Sequence, residues 1–97
     1  MLRRYSLHGV SFEWDSEKAA SNRFKHAVDF ETACEVFFDP FLRPADAGES
    51  DETRQAVLAL TTSWVLLFVV YTERGNTLRL ISARPATSIE RKHYEDL

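Results

Sequence analysis

The chain has 97 residues, of which 44% are hydrophobic, 12% aromatic and 28% charged, the make-up of an ordinary globular domain and not of a disordered or fibrous chain. One domain of this size buries roughly 60–65% of the surface its unfolded form exposes and needs no staples, while the single cysteine, Cys34, excludes an internal disulfide or a cysteine-rich zinc site. The net charge of −3 argues against indiscriminate nucleic-acid binding; with no secretory signal and no apolar run near the roughly 20 residues a membrane span needs, a cytoplasmic protein is expected.

In chain order, "SLHGVSFEW" has strand-like residues around Gly9 and predicts one irregular edge strand from Tyr5 to Trp14. Asp15 or Ser16 then caps a helix running to about His26, with Ala19, Ala20 and Phe24 as a thin apolar stripe. Asp29 caps a second helix, whose Phe30, Ala33, Cys34, Phe37 and Phe38 follow the i, i+3, i+4, i+7, i+8 spacing of a buried face until Pro40 stops it. "FLRPADAGESDET" predicts a short edge strand and then an acidic loop containing Asp46, Glu49, Asp51 and Glu52.

The pattern then changes. "RQAVLAL", "WVLLFVVYTERG" and "TLRLISAR" predict three antiparallel strands joined by "TTS" and by the Gly-Asn turn of "ERGN", the apolar middle strand being buried on both faces. In "ATSIERKHYEDL", Thr87 and Glu90 have capping-box spacing, opening a short helix with Ile89, His93 and Leu97 along one side. The expected architecture is a single α+β domain over residues 1–97: a mainly antiparallel sheet with two N-terminal helices and a C-terminal helix. If the helices cover one face only, the other remains as an open, shallow groove.

Charge is distributed unevenly over this frame. On the first helix Lys18, Asn22, Lys25 and His26 fall within one stripe that lacks an acidic residue, where a polyanion can lie; a plain solvated helix face fits the same spacing. Residues 74–92 carry Arg74, Arg79, Arg84, Arg91 and Lys92 against Glu90 alone. Strict alternation places Arg79, Ile81 and Ala83 on one side of the last strand and Leu80, Ser82 and Arg84 on the other. Arg84, beside Pro85 and just ahead of the capped helix, can approach a phosphate near that helix's N-terminus. Equally, Arg84 can pair with Glu90 or Asp39, and Arg79 with Glu73 or a neighbour across the sheet.

His8, His26 and His93 are too scattered for a metal signature, and the phosphate-binding, dinucleotide and serine-hydrolase motifs are missing, so neither metal nor cofactor is expected. Cys34 reads as a core residue. Trp14 and Trp64 read as packing residues, Trp14 also being placed where it can stack a base.

Particular words in the sequence say more. "FEWDSEKAASNRFKHAVDFETACEVFFDP" resembles the opening of the BrnT toxin family, in which a Trp-Asp pair, a lysine three residues on, an asparagine and a Lys-His pair precede a "V-x-F-x-x-A" helix ending in Asp-Pro. "VVYTERGNTLRLISARPAT" and "ERKHYE" resemble that family's closing strands, its "ISAR-x-A-T" element and its terminal helix. The likeness spans nearly the whole chain. It implies a RelE-like fold, a metal-independent endoribonuclease toxin of a type II toxin–antitoxin pair, and a BrnA-like ribbon-helix-helix antitoxin through which alone the toxin reaches DNA. The expected alternative class is a non-catalytic corepressor that only binds its antitoxin.

Metal-free RNA cleavage needs a base for the 2′-hydroxyl proton, a cation for the charge on the phosphorane and an acid for the departing 5′-oxygen. Within that picture we assign charge stabilisation to Arg79 and Arg84, and to Lys18 and Lys25 the holding of the RNA backbone, Lys18 being counted with the catalytic set. His26 is the first choice for proton transfer, with Tyr94 and Glu73 in reserve, although it also fits a structural role between the two helices. Asn22, Trp14, Arg74 and Tyr94 complete the expected RNA-binding set. Two positions depart from the family pattern: Ala27 stands where glycine is common, and Pro85 where a basic residue is common.

Overall fold

In the computed structural model, which describes residues 1–48 and 53–96, the chain forms a six-stranded sheet with three α-helices. Strand β1 (Leu2–Leu7) and strand β2 (Val10–Asp15) form a hairpin in place of the single irregular strand expected. The turn is the pair His8 and Gly9, both at positive φ (50° and 80°), the combination a two-residue hairpin loop requires. Helix α1 (Ser16–His26) follows at once, capped by Asp15, whose carboxylate accepts the Lys18 N–H at 3.1 Å. It ends at Ala27, held at φ 57° and ψ 30° with its N–H on the Arg23 carbonyl. The departure from glycine therefore falls at a left-handed position, where an L side chain costs about 1–2 kcal/mol.

Asp29 caps helix α2 (Phe30–Cys34), accepting from the Thr32 N–H at 2.8 Å. The expected long helix tightens after one turn into a 3-10 helix over Glu35–Phe38, so the apolar series does not stay on one face: Phe30, Ala33, Cys34 and Val36 are buried, whereas Phe38 is exposed. The short strand β3 (Arg43–Ala45) and strands β4 (Gln55–Leu60), β5 (Leu66–Arg74) and β6 (Thr77–Pro85) follow, with Gly75 at φ 60° in the last turn. Helix α3 (Ser88–Glu95) opens on the expected capping box, Thr87 accepting from the Glu90 N–H and Glu90 from the Thr87 N–H. The acidic residues Glu49, Asp51 and Glu52, and Leu97, lie outside the described residues.

The sheet order is β1-β2-β6-β5-β4-β3. Four pairings are antiparallel, but β2 and β6 run parallel, Ser11 to Glu13 opposite Thr77 to Arg79. The sheet is thus mixed. A bulge at Ile81 also breaks the expected alternation in β6, because Ser82 pairs with Val70 and Leu80 with Tyr71. Leu80 and Ala83, expected on opposite sides, consequently both enter the core with Phe12, Trp14, Phe30 and Val69.

Helices α1 and α2 close that core by packing against β2 and β6. Each fully buried side chain there, such as Phe30, contributes about 2–3 kcal/mol by leaving water. Leu58 and Leu66 alternate with core-facing neighbours, so they face the other side of the sheet, where α3 packs against β4. The helices therefore do not share one face. Ile89 is 81% exposed and α3 buries none of its residues; polar ties fasten it, from Arg84 to Glu90, from Tyr94 to Asp39 and from Arg43 to the Asp96 carbonyl. No helix among the described residues is long and apolar enough to cross a membrane.

Candidate functional site

Strand β2 leaves β6 after Arg79, and α1 runs along the edge it vacates. Asn22 takes the missing strand's place. Its side-chain oxygen accepts the Ala83 N–H at 3.0 Å, and its amide nitrogen donates to the carbonyls of Ala83 at 2.8 Å and Val28 at 3.0 Å. Expected on the exposed stripe, Asn22 is instead buried, with its amide committed to the backbone. It fixes how α1 sits on β6 and leaves the residues around it to face solvent.

Those residues form a shallow depression of about 190 Å³ lined by Lys18, Ser21, Asn22, Lys25 and His26 of α1 and by Ile81 and Ser82 of β6. Two ammonium groups, an imidazole and two hydroxyls meet there without a carboxylate in the lining. None of Lys18, Lys25 and His26 is in a side-chain hydrogen bond or ion pair among the described residues. Lys25 and His26 also lie in the last helical turn with Arg23, where cations offset the partial negative charge of the carbonyl end, so part of this charge supports the helix itself. Ser21 and Ser82 were missed by the sequence reading. Ser21 falls three residues after Lys18, a spacing that could have found it; Ser82 comes into place through the bulge, which no local pattern announces.

Arg79 and Arg84 flank Ile81 and Ser82 along β6, but each already has a carboxylate. Arg79 meets Glu13 at 3.2 Å, the neighbour opposite it across the parallel junction. Arg84 forms a fork with Glu90, at 2.7 and 2.8 Å, and lies 4.3 Å above the centre of the Phe68 ring. The hydrogen bonds from Arg84 hold the Glu90 carboxyl down at about 2, against the opposing effect of burial. The same bonds raise Arg84. These pairs fulfil the bland alternatives for both arginines.

The other expected residues lie apart from the depression. Trp14 is 4% exposed and packs against Tyr5 and Phe30, so it is a core residue and presents no face to a base. Tyr94 donates its hydroxyl to Asp39 at 2.6 Å; burial, then that bond, push it up to about 12. Arg74 is exposed at the β5–β6 turn, and Glu73 beside it accepts from Gln55. Cys34 is buried and its thiol is pushed up by burial, as befits a core residue. Trp64, expected to pack, is 80% exposed.

Residues 14–90 match the family model described as ribonuclease toxin, BrnT, of type II toxin-antitoxin system. Among solved structures, the chain is similar to the 1.1 Å crystal structure of the Brucella abortus ribonuclease toxin BrnT, with 21% identity over 77% of this chain and 94% of that one and a TM-score of 0.55. At that identity the likeness speaks for the fold. No curated protein matches the chain.

Proposed function

The chain belongs to the BrnT family of ribonuclease toxins of type II toxin–antitoxin systems, and we propose that it is itself a metal-independent endoribonuclease that cuts RNA to inhibit translation. The observation that carries this proposal is the meeting of Lys18, Lys25 and His26 on one uncovered surface that has no carboxylate of its own. A ribose-phosphate chain lying along α1 and Ile81–Ser82 receives charge from the two lysines. His26 sits at the same surface with an imidazole, a group that can both accept and donate a proton.

Under this proposal the arginines act from the rim. Glu90 and Phe68 fix the Arg84 guanidinium in one orientation, and Glu13 does the same for Arg79. Holding a charged donor in place before substrate arrives is what electrostatic stabilisation of a phosphorane requires. The RNA-binding set contracts to Lys18, Lys25 and the flanking arginines, with Arg74 a peripheral phosphate contact; Asn22, Trp14 and Tyr94 serve the scaffold. The partner is a BrnA-like ribbon-helix-helix antitoxin that neutralises the toxin and carries it to DNA, and the site of action is the cytoplasm.

A second reading has a specific observation in its favour. Both arginines are already neutralised by carboxylates, as expected of a toxin-like corepressor that only binds its antitoxin. Expression without the antitoxin separates the two: arrested growth with degraded RNA, relieved by Lys18→Ala with Lys25→Ala, supports the nuclease. A harmless wild-type chain that leaves RNA intact identifies the corepressor.

A further inference from the structure

An apolar depression lies between the end of the 3-10 helix and the β4–β5 turn, and it shares no lining residue with the cationic surface on α1. Its walls include Phe38, Phe41 and Trp64, which are 39%, 68% and 80% exposed. Phe41 and Trp64 lie mostly in water and Phe38, edge-on to the His8 ring, partly so; together they give the concavity an exposed apolar lining of the kind that suits a partner.

Trp64 is held there under constraint. Its φ is 65°, a left-handed conformation that a bulky side chain rarely adopts. The turn that imposes it is tightly tied: Thr61 accepts the Ser63 and Val65 N–H groups on its hydroxyl and the Trp64 N–H on its carbonyl, while Glu35 accepts both the N–H and the hydroxyl of Thr62. A strained backbone that its surroundings over-determine, and that delivers an indole to solvent, is pre-organised for contact.

Charge selects the occupant. The carboxylates of Glu35 and Asp39 line the same depression, and hydrogen bonds from Tyr94, Leu60 and Phe41 outweigh burial to keep Asp39 ionised. Two anions repel RNA and suit an apolar segment that carries lysine or arginine. We propose that this groove is where the antitoxin docks, inserting a short amphipathic segment with apolar anchors between Phe41 and Trp64 and a basic residue against Glu35 and Asp39. The proposal rests on the antitoxin-bound reading of the chain and adds to it the place of contact, away from the cationic surface.

The experiment uses the full chain and the protein encoded beside its gene, purified separately and mixed in a calorimeter. Trp64→Gly removes the indole while tolerating the positive φ, and Phe41→Ala removes the facing ring; each is expected to weaken binding about thirtyfold or more, as hot-spot aromatics do. Indole emission is a second readout: Trp64 shifts to the blue on binding, whereas Trp14 is buried from the outset. RNA degradation by both variants, expressed without the antitoxin, stays at the wild-type level. Wild-type affinity in both variants overturns the groove assignment alone, and absence of binding by the wild-type chain overturns the antitoxin reading with it. Loss of RNA degradation with antitoxin affinity intact makes the groove an RNA surface instead, and a wild-type dimer that Trp64→Gly converts to monomer makes it a self-association surface.

Discussion

Asn22 and Ala83, 61 positions apart in the chain, are joined by two hydrogen bonds that copy a strand ladder, the side-chain amide accepting at 3.0 Å and donating at 2.8 Å. A side chain thus continues the sheet where β2 stops, and the surface bearing Lys18, Lys25 and His26 takes its position from that splice. Removing it strands buried backbone groups. Asn22→Leu is expected to destabilise the fold by about 3 kcal/mol, because the Ala83 N–H and the Val28 and Ala83 carbonyls lose their partner together. Urea unfolding measures this, and a loss under about 1 kcal/mol would mean that the groups find other partners.

Ala27→Gly should act in the opposite direction. Relief of the left-handed strain outweighs the added freedom of the unfolded chain, giving a net gain of about 0.5–1 kcal/mol. For a domain of this size that raises Tm by about 2–8 °C. An unchanged or lower Tm in a thermal melt would refute it.

The Arg84–Glu90 pair makes stability depend on acid. Glu90 titrates at about 2 in the folded chain, below its ordinary value of 4.5, so the unfolded state binds the proton first as pH falls. The contribution is complete above the ordinary glutamate range and disappears between there and about pH 2. Glu90→Gln should cost about 1–2 kcal/mol at neutral pH and flatten that part of the acid limb. Urea midpoints taken from pH 7 downward check this; a parallel acid limb in the variant would contradict the role of the pair.

For the nuclease proposal, His26→Ala and Lys18→Ala should each lower RNA cleavage, by about a hundredfold or more where a proton-transfer group is lost. Neither side chain is buried, so the far-ultraviolet circular dichroism and antitoxin affinity should stay at wild-type levels. Undiminished cleavage by His26→Ala would remove it from the chemistry and leave Lys18 and Lys25 as the electrostatic contributors.

Local chemistry was legible in the sequence, and long-range geometry was not. Asp15, Asp29 and Thr87 with Glu90 cap the helices they were expected to cap, since a cap involves only its own first turn. The Gly75–Asn76 turn and the buried β5 were equally plain. The parallel junction could not be read, because Glu13 and Arg79 lie far apart in sequence and neither segment's periodicity names its partner. The bulge at Ile81 inverted the expected sides of β6 beyond it.

Phe24 shows the limit on the helical side. It completed a plausible apolar stripe with Ala19 and Ala20, but it is 92% exposed, because Asn22 turns a different edge of α1 toward the sheet. The candidate site was half legible for the same reason. Lys18, Lys25 and His26 share a helix and could be grouped by spacing, whereas the partners of Arg79 and Arg84 depended on which strands and helices met.

The parallel junction has a consequence for the order of events in synthesis. Ser11–Glu13 and α1 emerge from the ribosome long before Thr77–Ala83, to which they must attach, so the early part of a nascent chain has no template for its final arrangement. Premature termination ahead of β6 would yield polypeptide with every α1 lysine present and no surface assembled around them. Synthesis must therefore pass β6 before the α1 surface can take its final form.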